Sequence, residues 1–267
     1  MSAYYSVLKL RLLNGMQYRA SALAGVATQF FLGFLYIMIF EAFYEHSPIT
    51  PPISLKALIT YIWLQQSFLS FIMLWFRDNE IFNLITSGNI AYELCRPCEI
   101  YGFWYAKLLA GRLSSALLRS FPILIIAFFL PEPYRMTLPP NFITGVLFVF
   151  ALILGLFLLV AISMFIYISV FITMSPVGST LMISVLGEFF AGLIIPIPLM
   201  PDWLQNIAYL LPFRLTADFP FRVYSGHIPL NEAMMGIGVQ LIWLVLLVWL
   251  GRLSLNKALR QVVVQGG

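Results

Sequence analysis

The chain has 267 residues, of which 61% are hydrophobic and only 10% charged. A water-soluble domain carries roughly 25% charged residues, so this composition excludes a soluble globular surface and points to membrane spans of about 20 residues each. The formal net charge of +4 is spread over basic residues that flank apolar runs, which makes them topology signals rather than a nucleic-acid footprint.

The first segment sets Lys9, Arg11 and Arg19 among Leu8, Leu10, Leu12, Leu13 and Met16. It lacks a compact apolar stretch ending in a small-residue cleavage site. It reads as an amphipathic helix lying along the inner membrane face, the alternative being a plain cytosolic lead-in. A first span is predicted over 20–43, with Ser21, Gly25 and Thr28 on one face for close helix contact. Glu41, Glu45 and His46 mark its exit, and Pro48, Pro51 and Pro52 stop the helix. A second span is predicted over 57–76, followed by a polar interruption from Arg77 to Tyr105.

Within that interruption, Ile81, Leu84 and Ile85 form an i, i+3, i+4 stripe beside Asp78, Glu80 and Asn83. Ser87-Gly88-Asn89 supplies a stop, and 90–97 reads as a second short element ending before Pro97. A short amphipathic helix here either docks into a soluble partner or rests on lipid headgroups. Cys95 and Cys98 form a C-x-x-C pair. Four zinc ligands cannot be assembled, because His46 and His227 lie on the predicted opposite face. No metal site is expected, and the pair reads as reduced thiols.

A third span is predicted over 107–130, closed by Pro131-Glu132-Pro133. From Met136 to Gly187 no residue is charged. One helix over that stretch would rise about 78 Å, against a hydrocarbon core of roughly 30 Å. Two spans are therefore predicted, over 143–172 and 177–195, with the turn where Pro176 and Gly178 coincide. Beyond them, Phe189 to Arg214 is too apolar for an exposed loop, yet Pro196, Pro198 and Pro201 forbid a continuous helix. Short helices dipping into the outer leaflet satisfy both facts, as a lid over a path or as a passive hairpin. The sixth span is predicted over 234–251.

With both termini inside, nine Lys and Arg fall on inner segments and four on outer ones, while Arg112 and Arg119 lie within the third span, as the positive-inside rule favours. Arg119 and Glu188 fall at similar depth inside spans three and five, where charge is costly and faces a partner or a pathway. They are expected to approach one another or to share a polar cavity between the third and fifth spans, with snorkelling of Arg119 to the inner surface as the alternative. Phe189, Pro196 and Pro201 join them as candidates for the path or gate. No lysine follows a glycine, which rules out a phosphate-binding G-x-x-x-x-G-K-[ST] loop on this chain. Nor is there an H-E-x-x-H or G-x-S-x-G motif, so no catalytic residue is assigned.

The chain resembles the type-2 permeases of ATP-binding-cassette exporters over essentially its whole length. The likeness rests on the six-span layout with an N-terminal interfacial segment. It rests also on Glu80-Ile81 through Gly88-Asn89-Ile90, Leu94 and Arg96-Pro97, similar to the family's cytosolic coupling region. The third element is Gly192-Leu193-Ile194-Ile195-Pro196 through Pro201-Asp202-Trp203-Leu204 and Leu211-Pro212-Phe213, similar to its outer hairpin. The resemblance implies an all-α polytopic integral membrane protein, one transmembrane domain of six helices, paired with a second permease copy or homologue. It implies a transport subunit, not an enzyme, exporting across a bacterial plasma membrane. An amphiphilic substrate (drug, peptide or lipid-like) is expected, with Phe165, Tyr167, Phe171, Phe189 and Phe190 as candidate contacts or as packing surface. The alternatives are polysaccharide or teichoic-acid export, or a non-transporting membrane scaffold or channel. ATP and Mg would be bound by separate cytosolic ATPase subunits, with no cofactor on this chain. Glu80, Ile81, Leu84, Gly88, Arg96 and Pro97 are then the expected coupling residues.

Overall fold

A computed structural model describes residues 2–17, 19–46, 50–95 and 97–260. Among these residues the chain is helical, without strands. In chain order the helices are α1 (Ser2–Gln17), α2 (Arg19–Glu45), α3 (Leu55–Ser67), α4 (Leu69–Ile72), α5 (Asn79–Thr86) and α6 (Ile90–Leu94). They continue with α7 (Ile100–Phe129), α8 (Phe142–Thr173), α9 (Pro176–Phe190), α10 (Asp202–Leu210), α11 (Asp218–Tyr224) and α12 (Leu230–Leu259). Four of them, α2, α7, α8 and α12, are long and apolar enough to cross a membrane. The protein is a helical membrane protein.

The most apolar helix is at the centre. α8 has a mean hydropathy of 3.1 along its best stretch, and a helix apolar on all sides is covered by protein or by lipid. It packs against α12, α9, α11, α7 and α5. All four long helices turn large apolar side chains outward, among them Phe31, Phe121, Phe150 and Ile242. In water such a surface would drive aggregation; in a bilayer it is the lipid-facing coat. α1 lies along α7, with Tyr4 close to Gly102. The C-terminal part of α12 reaches the same end of the bundle, where Arg252 pairs with Glu99 at 3.1 Å and Gly251 abuts Tyr101.

Two predicted spans differ from single crossing helices. The second is broken: α3 ends at Ser67, α4 adds one turn, and 73–78 runs unwound into α5. The fifth, predicted over 177–195, stops at Phe190. Fifteen residues rise about 22 Å, less than the hydrocarbon core. Its end is a glycine cap: Gly192 has φ +77°, and the N–H of Leu193 donates back to the Glu188 carbonyl at 3.2 Å. α7 starts at Ile100, seven residues before the predicted 107, and α12 extends beyond 234–251 at both ends. The turn between α8 and α9 falls at the expected place. Met174 is left-handed, and Ser175 caps Pro176, its Oγ accepting from the Gly178 N–H at 3.2 Å.

The segment after α9 is a set of short pieces, as its prolines require: 3-10 turns at Ile197–Leu199 and Phe213–Thr216 with α10 and α11 beside them. Side chains of α3 and α12 satisfy the broken backbone. Gln65 donates to the Leu193 carbonyl at 2.7 Å and Tyr61 to that of Gly192 at 3.1 Å. Gln240 donates to Leu215 at 2.8 Å and to Ala151 at 2.9 Å. Buried Asp218 pairs with Arg222 at 3.4 Å.

Candidate functional site: an anchored short helix and a charge-held break

α5 forms because Asp78 caps it, its carboxylate accepting from the N–H of Glu80 at 2.9 Å and of Ile81 at 3.4 Å. The stripe read from the sequence faces inward: Ile81 and Ile85 are buried, Leu84 is half-buried. Phe82, on the same face, lies against Tyr167 of α8 with ring centroids 4.6 Å apart. The Tyr167 hydroxyl accepts the backbone N–H of Asp78 at 2.7 Å. α5 therefore rests on α8 rather than on lipid alone.

A four-residue ion cluster ties the same helix to its neighbours. Lys107 of α7 pairs with Glu80 at 2.8 Å and with Asp78 at 3.5 Å. Arg11 of α1 pairs with Asp78 at 3.4 Å and also with Glu80. The hydrogen bond from Lys107, helped by Arg11, holds the Glu80 carboxyl below its ordinary range. Glu80 remains largely exposed, so solvent screens much of this attraction. The clasp fixes position more than it adds stability.

Past α5, Gly88 has φ +76° with open space around its missing Cβ. Its requirement is conformational, not steric: a left-handed residue ends the helix. α6 buries Ile90 and turns Tyr92 (73% exposed) and Leu94 (46% exposed) to the surface. Pro97 and Cys95 are exposed, Cys98 is half-buried, and no disulfide joins the two thiols. Arg96 lies outside the described residues.

The break preceding α5 is held by charges. Unwound backbone at membrane depth needs partners, and Arg112 of α7 supplies the donors. Its guanidinium donates to the carbonyls of Met73 at 2.6 Å, Phe76 at 3.2 Å and Ser70 at 3.3 Å, and to Ser163 Oγ at 3.1 Å. Two turns further along α7, Ser120 Oγ donates to the Ser67 carbonyl at 2.7 Å. Glu188 of α9 supplies the acceptor, taking the Leu74 N–H at 3.2 Å. α9 comes so close at this point that a Cβ on Gly187 would collide with Leu74.

The expected approach of Arg119 to Glu188 is not made. Arg119 lies against Gly25 of α2, where a Cβ would come within 3.0 Å of its guanidinium carbon. Glu188 faces the break instead, on the side where Arg112 sits. Arg112 is the functional candidate that sequence reasoning passed over. The available signal was Ser163 and Tyr167, polar groups one turn apart in the C-terminal half of α8.

Phe189 stacks edge-on with Phe190 at 5.3 Å, both against the small core of Ile197, Met200 and Ala208. Pro196 is buried next to that core, and Pro201 is exposed at the start of α10. Phe189 thus closes α9, while Pro196 and Pro201 belong to the hairpin. No family model, no curated protein and no solved structure matches the chain.

Proposed function

We propose that the chain is the permease subunit of an ATP-binding-cassette exporter. On this reading it moves an amphiphilic substrate out across a bacterial plasma membrane, both termini cytoplasmic, and works as a pair with a like or homologous permease. Cytosolic ATPase subunits that bind ATP and Mg supply the energy, and α5–α6 is where they push.

The observation that carries this reading is the way α5–α6 is mounted. The pair stands at the end of the bundle that also holds α1 and the C-terminal part of α12. It is anchored at once to α1 through Arg11, to α7 through Lys107 and to α8 through Phe82 and Tyr167. Its outer edge, with Asn83, Tyr92 and Leu94, is left uncovered. A push on that edge reaches Asp78 and then the break at 73–77, which Arg112 and Glu188 connect to α7 and α9. Packed helices answer such a push by rigid-body displacement. The hairpin over the other end would serve as the outer lid.

The test is co-purification of the detergent-solubilised chain with an ATP-hydrolysing polypeptide, followed by turnover in proteoliposomes with Tyr92→Glu and Leu94→Glu variants. The reading predicts that both variants fold and pair but release the ATPase. An ATPase that stays bound and turns over at the unmodified rate in both removes the coupling role of α6.

A further inference from the structure

A cavity of about 230 Å³ opens where α1, α7 and the start of α5 meet, and its lining is unusually basic: Arg11, Arg77, Lys107 and Arg112, with Asp78 and Asn79. Liquid water occupies about 30 Å³ per molecule, so the space holds about eight waters or one small polyatomic anion. Glu80 pairs with Arg11 and Lys107 without lining the cavity. Even with it counted, four cations face two carboxylates. Arg112 is 1% exposed, and its Nε has no hydrogen-bond partner although its other nitrogens are engaged. Arg77 projects to the surface at the mouth. Phe76 and Leu108 give the cavity an apolar wall.

We propose that this cavity binds a phosphate group carrying net negative charge, the headgroup phosphate of an anionic lipid or a free phosphate. Guanidinium groups match phosphate oxygens in fork geometry, and basic pockets between membrane helices capture lipid headgroups. The apolar wall suits the glycerol and first methylenes of a lipid. The site does not depend on the exporter reading, because neither an ATPase nor a transported substrate enters it.

The test uses the full chain in detergent and native mass spectrometry with dioleoylphosphatidylglycerol or dioleoylphosphatidylcholine. Thermal unfolding with inorganic phosphate runs in parallel. Arg77→Gln removes an exposed mouth charge without touching the packed cluster, and Lys9→Gln removes an exposed charge on α1 outside the lining. One retained phosphatidylglycerol, preferred over phosphatidylcholine and weakened about fivefold by R77Q but not by K9Q, supports a lipid headgroup. Stabilisation by inorganic phosphate that R77Q abolishes, without lipid retention, supports a free phosphate. Equal retention of the two lipids with no phosphate effect overturns the site, and so does an equal loss in K9Q and R77Q. Should R77Q not fold, displacement of phosphatidylglycerol from the unaltered chain by inorganic phosphate decides, and failure to displace counts against the site.

Discussion

Arg112→Met is the most telling substitution. Methionine fills similar volume and keeps α7 helical, but it removes the guanidinium donors that bond Ser70, Met73 and Phe76. The Met73 carbonyl loses a 2.6 Å charge-assisted bond, and those of Phe76 and Ser70 lose longer ones. An acceptor stranded away from water costs about 1–3 kcal/mol. Glu188, which accepts from the other side of the same break, also loses a neighbouring cation. Counting the two long bonds at the low end, the loss is about 4 kcal/mol, or about 10 °C in the unfolding midpoint for a chain of this size. Fluorescence-detected size-exclusion after heating in detergent measures it. Arg112→Lys retains charge without the fork and should fall between. Arg112→Met combined with Glu188→Gln should lose less than the two single changes added together. A midpoint within about 2 °C of the unaltered chain for R112M would refute the assignment, since so small a shift is under 1 kcal/mol.

Three further outcomes follow from the same contacts. Gly88→Val forces a β-branched side chain to φ +76°, a strain of about 1–3 kcal/mol; the variant should still assemble in membranes, with faster hydrogen exchange confined to the end of α5. Glu80 has its carboxyl pKa lowered by Lys107 and Arg11, so its contribution is complete above the ordinary carboxylate value and disappears as pH falls through the depressed one. The unfolding midpoint should therefore change little through Glu80 between pH 7 and 5 and drop only in more acid solution, and Glu80→Gln should remove that part of the drop. Gln65→Leu strands the Leu193 carbonyl, bonded at 2.7 Å, and should cost about 1–3 kcal/mol while opening the hairpin after α9 to limited proteolysis.

The elements legible in the sequence are those whose cause is local. α8 could be bounded to within a residue because an uninterrupted apolar run ends at Met174-Ser175-Pro176. α5 was legible from its stripe and from Gly88, and the hairpin from Pro196, Pro198 and Pro201. The break at 73–78 was not, because Leu69 to Phe76 is apolar and contains neither proline nor glycine. Its cause is tertiary: donors from α7 and an acceptor from α9 make unwinding affordable there. For the same reason Arg112 looked like one more charge in a span, while Glu188 was assigned a partner by depth alone. Tyr101, Phe103 and Trp104 were placed in a polar loop by the charges around them, yet all three are buried in the first turns of α7. The aromatics Tyr167 and Phe171, read as candidate substrate contacts or packing, serve packing: Tyr167 holds Asp78, and Phe171 stacks on Trp104 at 6.5 Å.

The exposed thiol of Cys95, one residue past α6, offers the most direct measurement of the proposed function. Membranes carrying the unaltered chain, treated with a short bifunctional maleimide, should yield a Cys95-linked product whose second polypeptide hydrolyses ATP, and Tyr92→Glu should abolish that product. Cross-links from Cys95 that reach only other copies of the chain, or a partner without nucleotide hydrolysis, would contradict the account.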